Sequence, residues 1–375
     1  MKPQPLDGVR VLDLSRVLAG PLCTMMLGDL GARIIKVERP GSGDETRGWG
    51  PPFADDGQSA YYRSTNRNKL SVALDLKNPA DLEVAHKLLS EADVVVDNFL
   101  PGVLSRSGLD RGAQLALNDR LIWCTISGFG PASQRPGYDF VVQAESGWMA
   151  ITGPEEGPPS KSGVALADVI TGKDATIAIL AALAGRDAGR PVERAIDIAL
   201  ANSATAALVN VAQNVLVGGA DARRWGNAHA NLVPYQLFAA ADRDLVIAVG
   251  SDAQWVAAAR ALGLDSLADD TSLATNAGRL AQRARVVSSI AEKVRTQPAA
   301  HWVAGLEGAG IPCGLVRSVK EALADVSASP ETGVFPVTGG EIRLPPPDLD
   351  EHGELIRKFY WSAFTHVPIL SRNDV

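Results

Sequence analysis

The chain has 375 residues, of which 46% are hydrophobic and 21% are charged, and its formal net charge at pH 7 is −7. This length predicts two domains, or one large domain with an appendage, and the hydrophobic fraction allows a large buried core. The negative charge argues against a nucleic-acid binder, which would present a basic face, but it leaves room for a local basic pocket.

The cysteines and the apolar stretches indicate the cellular compartment of the protein. The three cysteines are far apart in sequence: Cys23, Cys124 and Cys313. An odd number without a CxxC pair predicts a reducing compartment, with neither a disulfide framework nor a thiolate metal site. The first residues, MKPQPLDGVRVLDLS, lack an apolar signal core. The apolar run after Asp168 is interrupted by Lys173 and Asp174, so we expect no membrane contact and a soluble cytoplasmic protein.

The first third of the chain alternates between predicted strands and helices. Short apolar runs predict strands at residues 9–15, 32–39, 69–76, 93–99 and 121–130. Helical patterns follow in GPLCTMMLGDLG and in NPADLEVAHKLLSEA, where Asn78 is the predicted N-cap. This alternation predicts an α/β fold with a parallel sheet covered on both faces. Ligands of such sheets bind at the carboxyl ends of the strands, here residues 15–19, 39, 98–99 and 127–130.

The remaining segments predict a functional loop and a second domain. Residues 48–69 are rich in Gly, Pro and Asn and too long for a simple turn, which is typical of a functional loop. Residues 196–220 are predicted to form one linker helix. The predicted large domain comprises residues 1–195 and is completed by 330–375, and the small domain comprises 221–329.

Common catalytic motifs are missing from the sequence. It contains no GxGxxG after the first strand, no Walker loop, no GxSxG, no HExxH and no cysteine cluster, and none of its five histidines forms a ligand-spaced pair. These observations disfavour a nucleotide-cofactor dehydrogenase, a Ser-His-Asp hydrolase and a metal site.

One carboxylate stands out, Asp168 in GVALADVITGKDATIAILAAL, directly ahead of a long apolar run. It has two interpretations that the residue pattern leaves open. Asp168 can be a helix cap that accepts hydrogen bonds from free amides. It can also be a nucleophile, held ionised by those amides and by the helix dipole beside an apolar wall. Likewise, Arg39 and Arg47 flank PGSGDET either as surface charges or as phosphate contacts.

Several segments together resemble the family III CoA-transferases, the group of formyl-CoA and carnitine CoA-transferases. The matching stretches are GVRVLDLSRVLAGPLCTMMLGDLGARIIKVERPGSGDETR, NRNKLSVALDL, DVVVDNFLPGVL, GYDFVVQAESGWMAITG, GVALADVITG and RRWGNAHANLVPYQLF. They span about residues 6–238 in family order, and the similarity continues more weakly through GAGIPCGLV to the tail. Each stretch alone is weak, but the set is highly specific.

The resemblance implies a mechanism in which Asp168, the aspartate of the family's A-x-x-D-x-x-x-G stretch, is the nucleophile. It attacks the acyl-CoA thioester and passes through mixed anhydrides and an aspartyl-CoA thioester. The thioester energy is conserved, so neither ATP nor a metal is required. Coenzyme A and acyl-CoA are then substrates, with small carboxylic acids as partners, and no cofactor is permanently bound.

The resemblance also implies a set of CoA-binding residues. They are Arg16, Val17, Ala19, Arg39, Leu74, Lys77, Asn98, Phe99, Arg106 and Tyr138. Formyl-CoA transferases have a glutamine at the position of Leu18, so oxalate and formate are disfavoured as substrates. LAGP, GDETRGWGPPF, TGPEEGPP and RWGNAHANLVPYQLF look more like the succinyl-CoA-dependent dicarboxylate transferases, including the glutarate enzyme. Candidates for the acceptor's second carboxylate are then Arg16, Arg47 and His229.

The resemblance further implies a Rossmann-like large domain and a homodimer of two interlocked ring-like chains. The same fold hosts 2-methylacyl-CoA racemases, whose catalytic histidine belongs to a GHD stretch. Here residues 137–139 read GYD, and a tyrosine with a pKa near 10 is a poor base at neutral pH. This residue favours a transferase over a racemase-type isomerase. A CoA-binding protein without turnover is disfavoured by the complete motifs around Asp168.

Overall fold

A six-stranded parallel sheet organises the larger part of the molecule. The computed structural model describes residues 3–334 and 339–370. In chain order the strands of this sheet are β1 (Arg10–Asp13), β2 (Arg33–Glu38), β3 (Lys69–Ala73), β4 (Val94–Asp97), β5 (Ile122–Ser127) and β6 (Ala195–Ala199). Their order is β3-β2-β1-β4-β5-β6, which is the order of doubly wound nucleotide-binding folds. The five predicted strands and the parallel α/β sheet are confirmed.

Helices of the same unit cover both faces of this sheet. In chain order the helices of the described residues in both units are α1 (Ala19–Asp29), α2 (Ala60–Arg63), α3 (Pro79–Ser90), α4 (Val103–Arg106), α5 (Arg111–Leu117), α6 (Asp139–Glu145), α7 (Trp148–Ile151), α8 (Leu166–Asp187), α9 (Leu200–Ala206), α10 (Val209–Gly218), α11 (Asp252–Ala261), α12 (Asp265–Ala268), α13 (Asn276–Ala281), α14 (Arg283–Val294), α15 (Ala299–Gly308), α16 (Val319–Leu323) and α17 (Gly353–Phe359). Asn78 caps α3, as predicted, by accepting a hydrogen bond from the amide of Ala80.

Alternate residues of each buried strand enter two separate cores. On one face Val11, Ile34 and Cys124 pack with α1, α8 and α9. On the other face Leu12 and Ile35 pack with α3 and with the C-terminal segment that contains α17. Because the strands are buried on both faces, their sequences lack the polar alternation of a half-exposed sheet, and the polar residues they do contain, such as Asp13, Lys36 and Lys69, are buried in ion pairs.

The chain groups into two compact units, and each is described by itself. The first comprises Met1–Trp148, Lys161–Gly219 and Val326–Val375, and the second Met149–Ser160 and Ala220–Asp325. Residues 149–160, expected in the large domain, therefore group with the second unit. The cause is local, since the Arg224 guanidinium donates to the carbonyls of Pro154 and Gly157.

The second unit contains its own sheet and core. Strands β7 (Tyr235–Ala239), β8 (Asp244–Ala248) and β9 (Cys313–Leu315) form an antiparallel sheet in the order β7-β8-β9. Helices α11, α14 and α15 pack their apolar sides against it, with Trp255 and Trp302 in the core. In the first unit β10 (Ala328–Ser329) and β11 (Gly333–Val334) form a short antiparallel pair.

The C-terminal segment covers the outer edge of β3. The amide of Asn68 donates to the carbonyl of Leu344, and the amide of His352 donates to the carbonyl of Ser71. The amide of Ala73 donates to the carboxylate of Asp350 at 2.7 Å. These bonds occupy backbone groups that would otherwise be exposed at the sheet edge.

The predicted linker helix over residues 196–220 is wrong. The segment begins as strand β6, which pairs in parallel register with β5 over five residues from Ala195 to Ala199. The helical part that follows is broken into α9 and α10, which meet at 70°. Alanine-rich sequence produced the helical pattern, whereas the alternation of Ile196 and Ile198 around Asp197 fits a strand beside β5, where Asp197 pairs with Arg111.

A search for membrane-spanning helices covers the described part of the chain. There, no single helix is long and apolar enough to cross a membrane. The bent pair α9 and α10 meets the length and composition criteria only when the two are taken together.

Candidate active site

Asp168 lies in the first turn of α8 but does not cap that helix. The cap is Asp139, at the start of α6, whose Oδ1 accepts the amides of Ala167 at 2.8 Å and of Asp168 at 3.3 Å. The neighbouring amides are also occupied, since Leu166 donates to the carbonyl of Val164 and Val169 to that of Ala165. The first-turn donors of α8 are therefore satisfied without the Asp168 side chain.

The Asp168 carboxyl group has an unusual electrostatic environment. Within the residues that the structure describes, no donor makes a hydrogen bond to it. Burial, and then the like charge of Asp139, raise the pKa of Asp168 to about 7. The expectation that helix amides hold this carboxylate ionised is therefore wrong, because those amides are bound by Asp139. Near neutral pH the group is divided between its acid and its carboxylate.

Gly172 explains the spacing of the motif around Asp168. It lies one turn after Asp168 on the same face of α8. A Cβ atom at this position would stand 2.6 Å from the carbonyl oxygen of Ala19, at the start of α1. This close approach of α8 to α1 turns the face that carries Asp168 toward the residues that follow β1.

We expect Gly172→Ala to lower both stability and turnover. The added methyl group meets backbone, which cannot rotate away, so the helices must separate at a cost of about 1–3 kcal/mol. Urea unfolding would measure the stability, and the rate of the CoA transfer that the family resemblance implies would measure the turnover. Gly305→Ala is the matched control, since Gly305 lies in α15 with open space around it and the change should stabilise by about 0.5–1 kcal/mol. Equal tolerance of the two changes would contradict the close contact.

Arg16, Asn98 and Phe99 are brought together where β1 and β4 end. Asn98 accepts the amide of Arg16 at 2.9 Å and donates to its carbonyl at 2.7 Å. The Arg16 guanidinium lies 4.8 Å from the centre of the Phe99 ring. Since β1 and β4 are the strands at which the sheet order reverses, this is the crevice where doubly wound sheets bind ligands.

A buried ion pair holds the loop between β1 and α1. Val17 adopts a positive φ of 72°, which is unfavourable for a β-branched residue. Its amide points at the Asp44 carboxylate, and Lys36 Nζ donates both to Asp44 at 3.0 Å and to the carbonyl of Ser15 at 2.8 Å. Burial alone would raise the pKa of Asp44. The Lys36 charge and the hydrogen bonds from the Thr46 amide and hydroxyl outweigh burial, so the pKa of Asp44 lies below its usual range. Asp44 and Lys36 therefore support the loop that carries Arg16 and Leu18.

Three of the predicted CoA-binding residues are cations without a counter-charge. Arg39, Lys77 and Arg106 are exposed, and none of them makes an ion pair within residues 3–334 and 339–370. Arg39 follows β2, next to the buried Leu74, whose amide donates to the carbonyl of Glu38. Unpaired guanidinium and ammonium groups at the carboxyl edge of the sheet are suited to binding phosphates.

The remaining predicted site residues differ in how far their side chains are exposed and free of other bonds. Ala19 is buried against α8, Leu18 is half-buried at the start of α1, and Tyr138 is 57% exposed directly before Asp139. Arg47 is engaged at Nε and Nη2, because these atoms form a two-point ion pair with Glu38 and Nη2 also donates to the Tyr62 hydroxyl. This engagement argues against Arg47 as a ligand of a substrate carboxylate.

His229 lies in the second unit, in the segment RRWGNAHANLVPYQLF. Its amide donates to the carbonyl of Tyr235, and its Nδ1 accepts the amide of Asn231 at 3.0 Å. Its ring packs at a tilt against Tyr235. The Nδ1 contact leaves Nε2 as the ring nitrogen able to meet a ligand.

Two aromatic residues of the predicted functional loop were missed as site residues. Burial, followed by the charges of Asp168 and Asp139, raises the pKa of Tyr61 to about 12. Tyr61 therefore faces both carboxyl groups and remains a neutral phenol. Trp49 packs edge-on against Tyr61, with ring centres 5.1 Å apart. The only sequence signal was the length and composition of this loop, which does not single out either residue.

A cavity of about 440 Å³ opens beside Phe99, past the ends of β4, β5 and β6. The buried carboxylate of Asp97 lies in its lining, where it accepts the Trp123 indole N–H and the Thr125 hydroxyl. In the described part of the chain, no group of three or more His, Cys, Asp or Glu side chains is arranged to hold a metal ion.

Comparison with known proteins gives consistent matches over nearly the whole chain. Residues 6–351 match the model of CoA-transferase family III. The chain is 41% identical to succinyl-CoA:glutarate CoA-transferase of Mus musculus, over 95% of this chain and 86% of that protein. It is 42% identical to succinate–glutarate CoA-transferase of Agrobacterium fabrum (strain C58 / ATCC 33970), over 86% and 82%. A crystal structure of a CAIB/BAIF family protein from Brucella suis superposes with a TM-score of 0.85 at 37% identity, covering 95% of this chain and 99% of that one.

Proposed function

Because the chain belongs to CoA-transferase family III and is an acyl-CoA-dependent transferase, we propose that it moves CoA from succinyl-CoA to a small dicarboxylic acid such as glutarate. The choice of donor and acceptor is supported by the two glutarate enzymes at 41% and 42% identity. A relative that acts on oxalate, acetyl-CoA:oxalate CoA-transferase of Acetobacter aceti, is less similar at 35% identity. This difference agrees with Leu18 in place of the glutamine of formyl-CoA transferases.

The observation that carries the proposed chemistry is that the Asp168 carboxyl group accepts no hydrogen bond from the described residues. One of its oxygens attacks the thioester carbonyl of the donor, the C–S bond breaks, and CoA leaves as a thiolate. The product is a mixed anhydride between Asp168 and the donor acid. The thiolate then attacks the Asp168 carbonyl, which releases the donor acid as a carboxylate and forms an aspartyl-CoA thioester.

The second half of the reaction repeats these steps in reverse order. The acceptor carboxylate attacks the aspartyl-CoA carbonyl and displaces the thiolate, which gives a second anhydride. The thiolate attacks the acceptor carbonyl of that anhydride, so the new acyl-CoA forms and Asp168 returns as a carboxylate. The number of thioester bonds is conserved, and no ATP is consumed. Burial of Asp168 limits the access of water, which would hydrolyse either anhydride.

Substrate binding follows from the groups at the carboxyl edge of the sheet. We assign the CoA phosphates to the unpaired cations Arg39, Lys77 and Arg106, and the CoA arm to the loop of Arg16 and to Asn98 and Phe99. We assign Tyr138 to the reactive end of the CoA arm, and its position directly before Asp139 supports this assignment. For the second carboxylate of the acceptor, the candidates are His229 and Arg16, which lies in an exposed ion pair with Glu45 at 2.7 Å, whereas Arg47 is held by the buried carboxylate of Glu38 at two points.

Removing an unpaired cation should weaken CoA binding without affecting the fold. We expect Arg39→Ala and Arg106→Ala each to raise the Kd for CoA about tenfold, equivalent to about 1.4 kcal/mol, and the loss should shrink at high salt. Isothermal titration with CoA at two salt concentrations measures this. Arg190→Ala, an exposed arginine just past α8, is the control. Unchanged affinity in both variants would remove these residues from the CoA site.

We also propose a homodimer, supported by helix α10. Its apolar side chains are exposed in the single chain, with Leu216 at 77% and Val217 at 78% exposure. A second copy of the chain is the partner that the family resemblance implies, as interlocked rings in the cytoplasm. We expect Leu216→Glu to shift the sedimentation coefficient toward that of a monomer. Leu117→Glu, at another strongly exposed leucine, should not. A wild-type chain that sediments as a monomer at every concentration would refute the dimer.

The direct test of the proposed activity is CoA exchange. The protein is incubated with succinyl-CoA and a panel of mono- and dicarboxylic acids, and new acyl-CoA esters are identified by mass spectrometry. We expect glutaryl-CoA and free succinate in equal amounts. No exchange, together with deuterium uptake at the alpha carbon of a 2-methylacyl-CoA in D₂O, would establish a racemase-type isomerase instead. CoA binding with neither reaction would establish a non-catalytic binder.

A further inference from the structure

The side chain of Asp139 accepts the free amides of α8 that an aspartate in the first turn of that helix would otherwise accept. Its Oδ1 accepts the amides of Ala167 and Asp168, and its Oδ2 accepts Nε2 of Gln143 at 2.7 Å. Gln143 is held in turn, because its Oε1 accepts the amide of Ser162 at 2.9 Å. Asp139 and Gln143 are only 9% and 1% exposed. The cap of α8 is therefore a buried and fully bonded carboxylate that comes from another helix.

This arrangement removes a competing role for Asp168. An acid in the first turn of a helix is attracted to the free amides there and to the positive end of the dipole. If the amides of Ala167 and Asp168 were free, they would be donors in the same helical turn as the Asp168 side chain. A carboxylate that accepts such bonds is stabilised as the anion, and its lone pairs are then committed, so it becomes a weaker nucleophile.

We propose that Asp139 is a positioning residue that caps α8 in place of Asp168 and thereby leaves the Asp168 carboxylate unbonded and available to attack the thioester. The proposal rests on the transferase mechanism proposed above and deepens it. It assigns to Asp139 no contact with substrate. The Gln143 side chain and the Ser162 amide keep the Asp139 carboxylate in the orientation that the two amides require.

The groups that face Asp168 from neighbouring elements are few. Asp139 faces it from α6, and Tyr61, a neutral phenol, faces it from α2. The start of α1 carries only uncharged residues, Ala19 to Met26. A change of charge at residue 139 should therefore appear directly in the pH dependence of Asp168.

Two substitutions at Asp139 separate capping from charge. Asp139→Asn keeps an acceptor oxygen for the two amides but removes the negative charge. Asp139→Ala removes both and frees the amides for Asp168. The double change Asp139→Asn with Gln143→Glu restores a donor–acceptor pair between residues 139 and 143. Thr275→Ala, which removes the N-cap of α13 in the second unit, is the matched control for loss of a cap.

The measurement is the single-turnover rate of covalent adduct formation with succinyl-CoA between pH 5 and 9, with the Kd for CoA and the unfolding temperature measured on the same samples. We expect Asp139→Ala to lower the midpoint of the pH profile by at least one pH unit and the plateau rate by about 10- to 100-fold, with little change in Kd. Asp139→Asn should lower the midpoint but keep the plateau within about threefold, and Thr275→Ala should change neither.

Each other outcome overturns the proposal in a distinct way. An Asp139→Ala protein with the wild-type midpoint and plateau would show that the cap has no effect on Asp168. An Asp139→Asn plateau as low as that of Asp139→Ala, in a protein that remains folded, would assign the effect to charge alone. Asp168→Ala is run in parallel: an adduct in that variant overturns the transferase mechanism together with this inference, whereas its absence beside an unaffected Asp139→Ala overturns the inference only.

Discussion

Replacing Asp168 with asparagine is expected to reduce CoA exchange by at least about 10³-fold while leaving CoA binding nearly unchanged. The amide is almost isosteric with the carboxyl group but is not a nucleophile, so neither the anhydride nor the aspartyl-CoA thioester can form. Steady-state exchange between succinyl-CoA and glutarate measures the loss, and titration with CoA measures binding. Wild-type exchange should rise with pH through about 7 and level off above it, because only the carboxylate attacks.

Asp174→Asn is the matched control for this change. It lies on the same helix, six residues further along, and has no assigned role. We expect its exchange rate to stay within a factor of a few of wild type. Exchange by Asp168→Asn at more than a few per cent of the wild-type rate would contradict a nucleophilic role for Asp168.

Asp168→Asn should also make the protein more stable above neutral pH. Folding raises the pKa of Asp168 from its ordinary value of 3.8 to about 7, so the folded state favours the protonated acid. The stability that this group contributes is fully present below pH 4 and is lost as the pH rises through about 7. Above pH 7 the wild-type chain bears a penalty of up to about 4 kcal/mol, which a neutral asparagine avoids.

Denaturant unfolding at several pH values measures this effect. The difference in unfolding free energy between Asp168→Asn and wild type should grow from pH 5 to pH 7.5 and remain constant above that. A difference that is independent of pH would show that the carboxyl group is not destabilised as an anion. The predicted gain of stability with loss of activity is common at active sites, where function requires an unfavourably placed group.

The sheet was predictable because its residues follow simple local rules. Strand β4, VVVD, is a short and mainly apolar run between polar turns, and α3 begins at a capping asparagine. Strand β6 was not predictable in the same way. Its residues, AIDIA, run directly into the alanine-rich α9, and only pairing with β5 distinguishes the strand from the helix that follows.

The site was predictable as a set of positions but not as an electrostatic arrangement. Strand ends that are far apart in sequence meet at one edge of a parallel sheet, which is why Arg16, Asn98 and Phe99 come together. The cap of α8 was not predictable, since the donor amides and the acceptor Asp139 are separated by 28 residues. An aspartate does cap α8, but it is Asp139 and not Asp168.

The buried ion pair of Lys36 and Asp44, which supports the loop beside the crevice, was also not predictable from the sequence. Lys36 lies between the apolar residues Ile35 and Val37 of β2, and its side chain is completely buried. Its partner Asp44 lies in a segment, PGSGDET, that is typical of solvent-exposed turns. Only the folded chain shows that this pair holds the amide of Val17 and the carbonyl of Ser15, and hence the loop beside the crevice.

The measurement that tests the central claim most directly is mass spectrometry of the protein after brief incubation with succinyl-CoA. Hydroxylamine converts an aspartyl anhydride or thioester to a hydroxamate, and borohydride reduces the thioester to an alcohol. The peptide that contains Asp168 should carry the modification, and the peptides from Asp168→Asn should not. Modification confined to Asp168 is the predicted result. A modification at another residue, or none while glutaryl-CoA is formed, would contradict the covalent aspartyl mechanism.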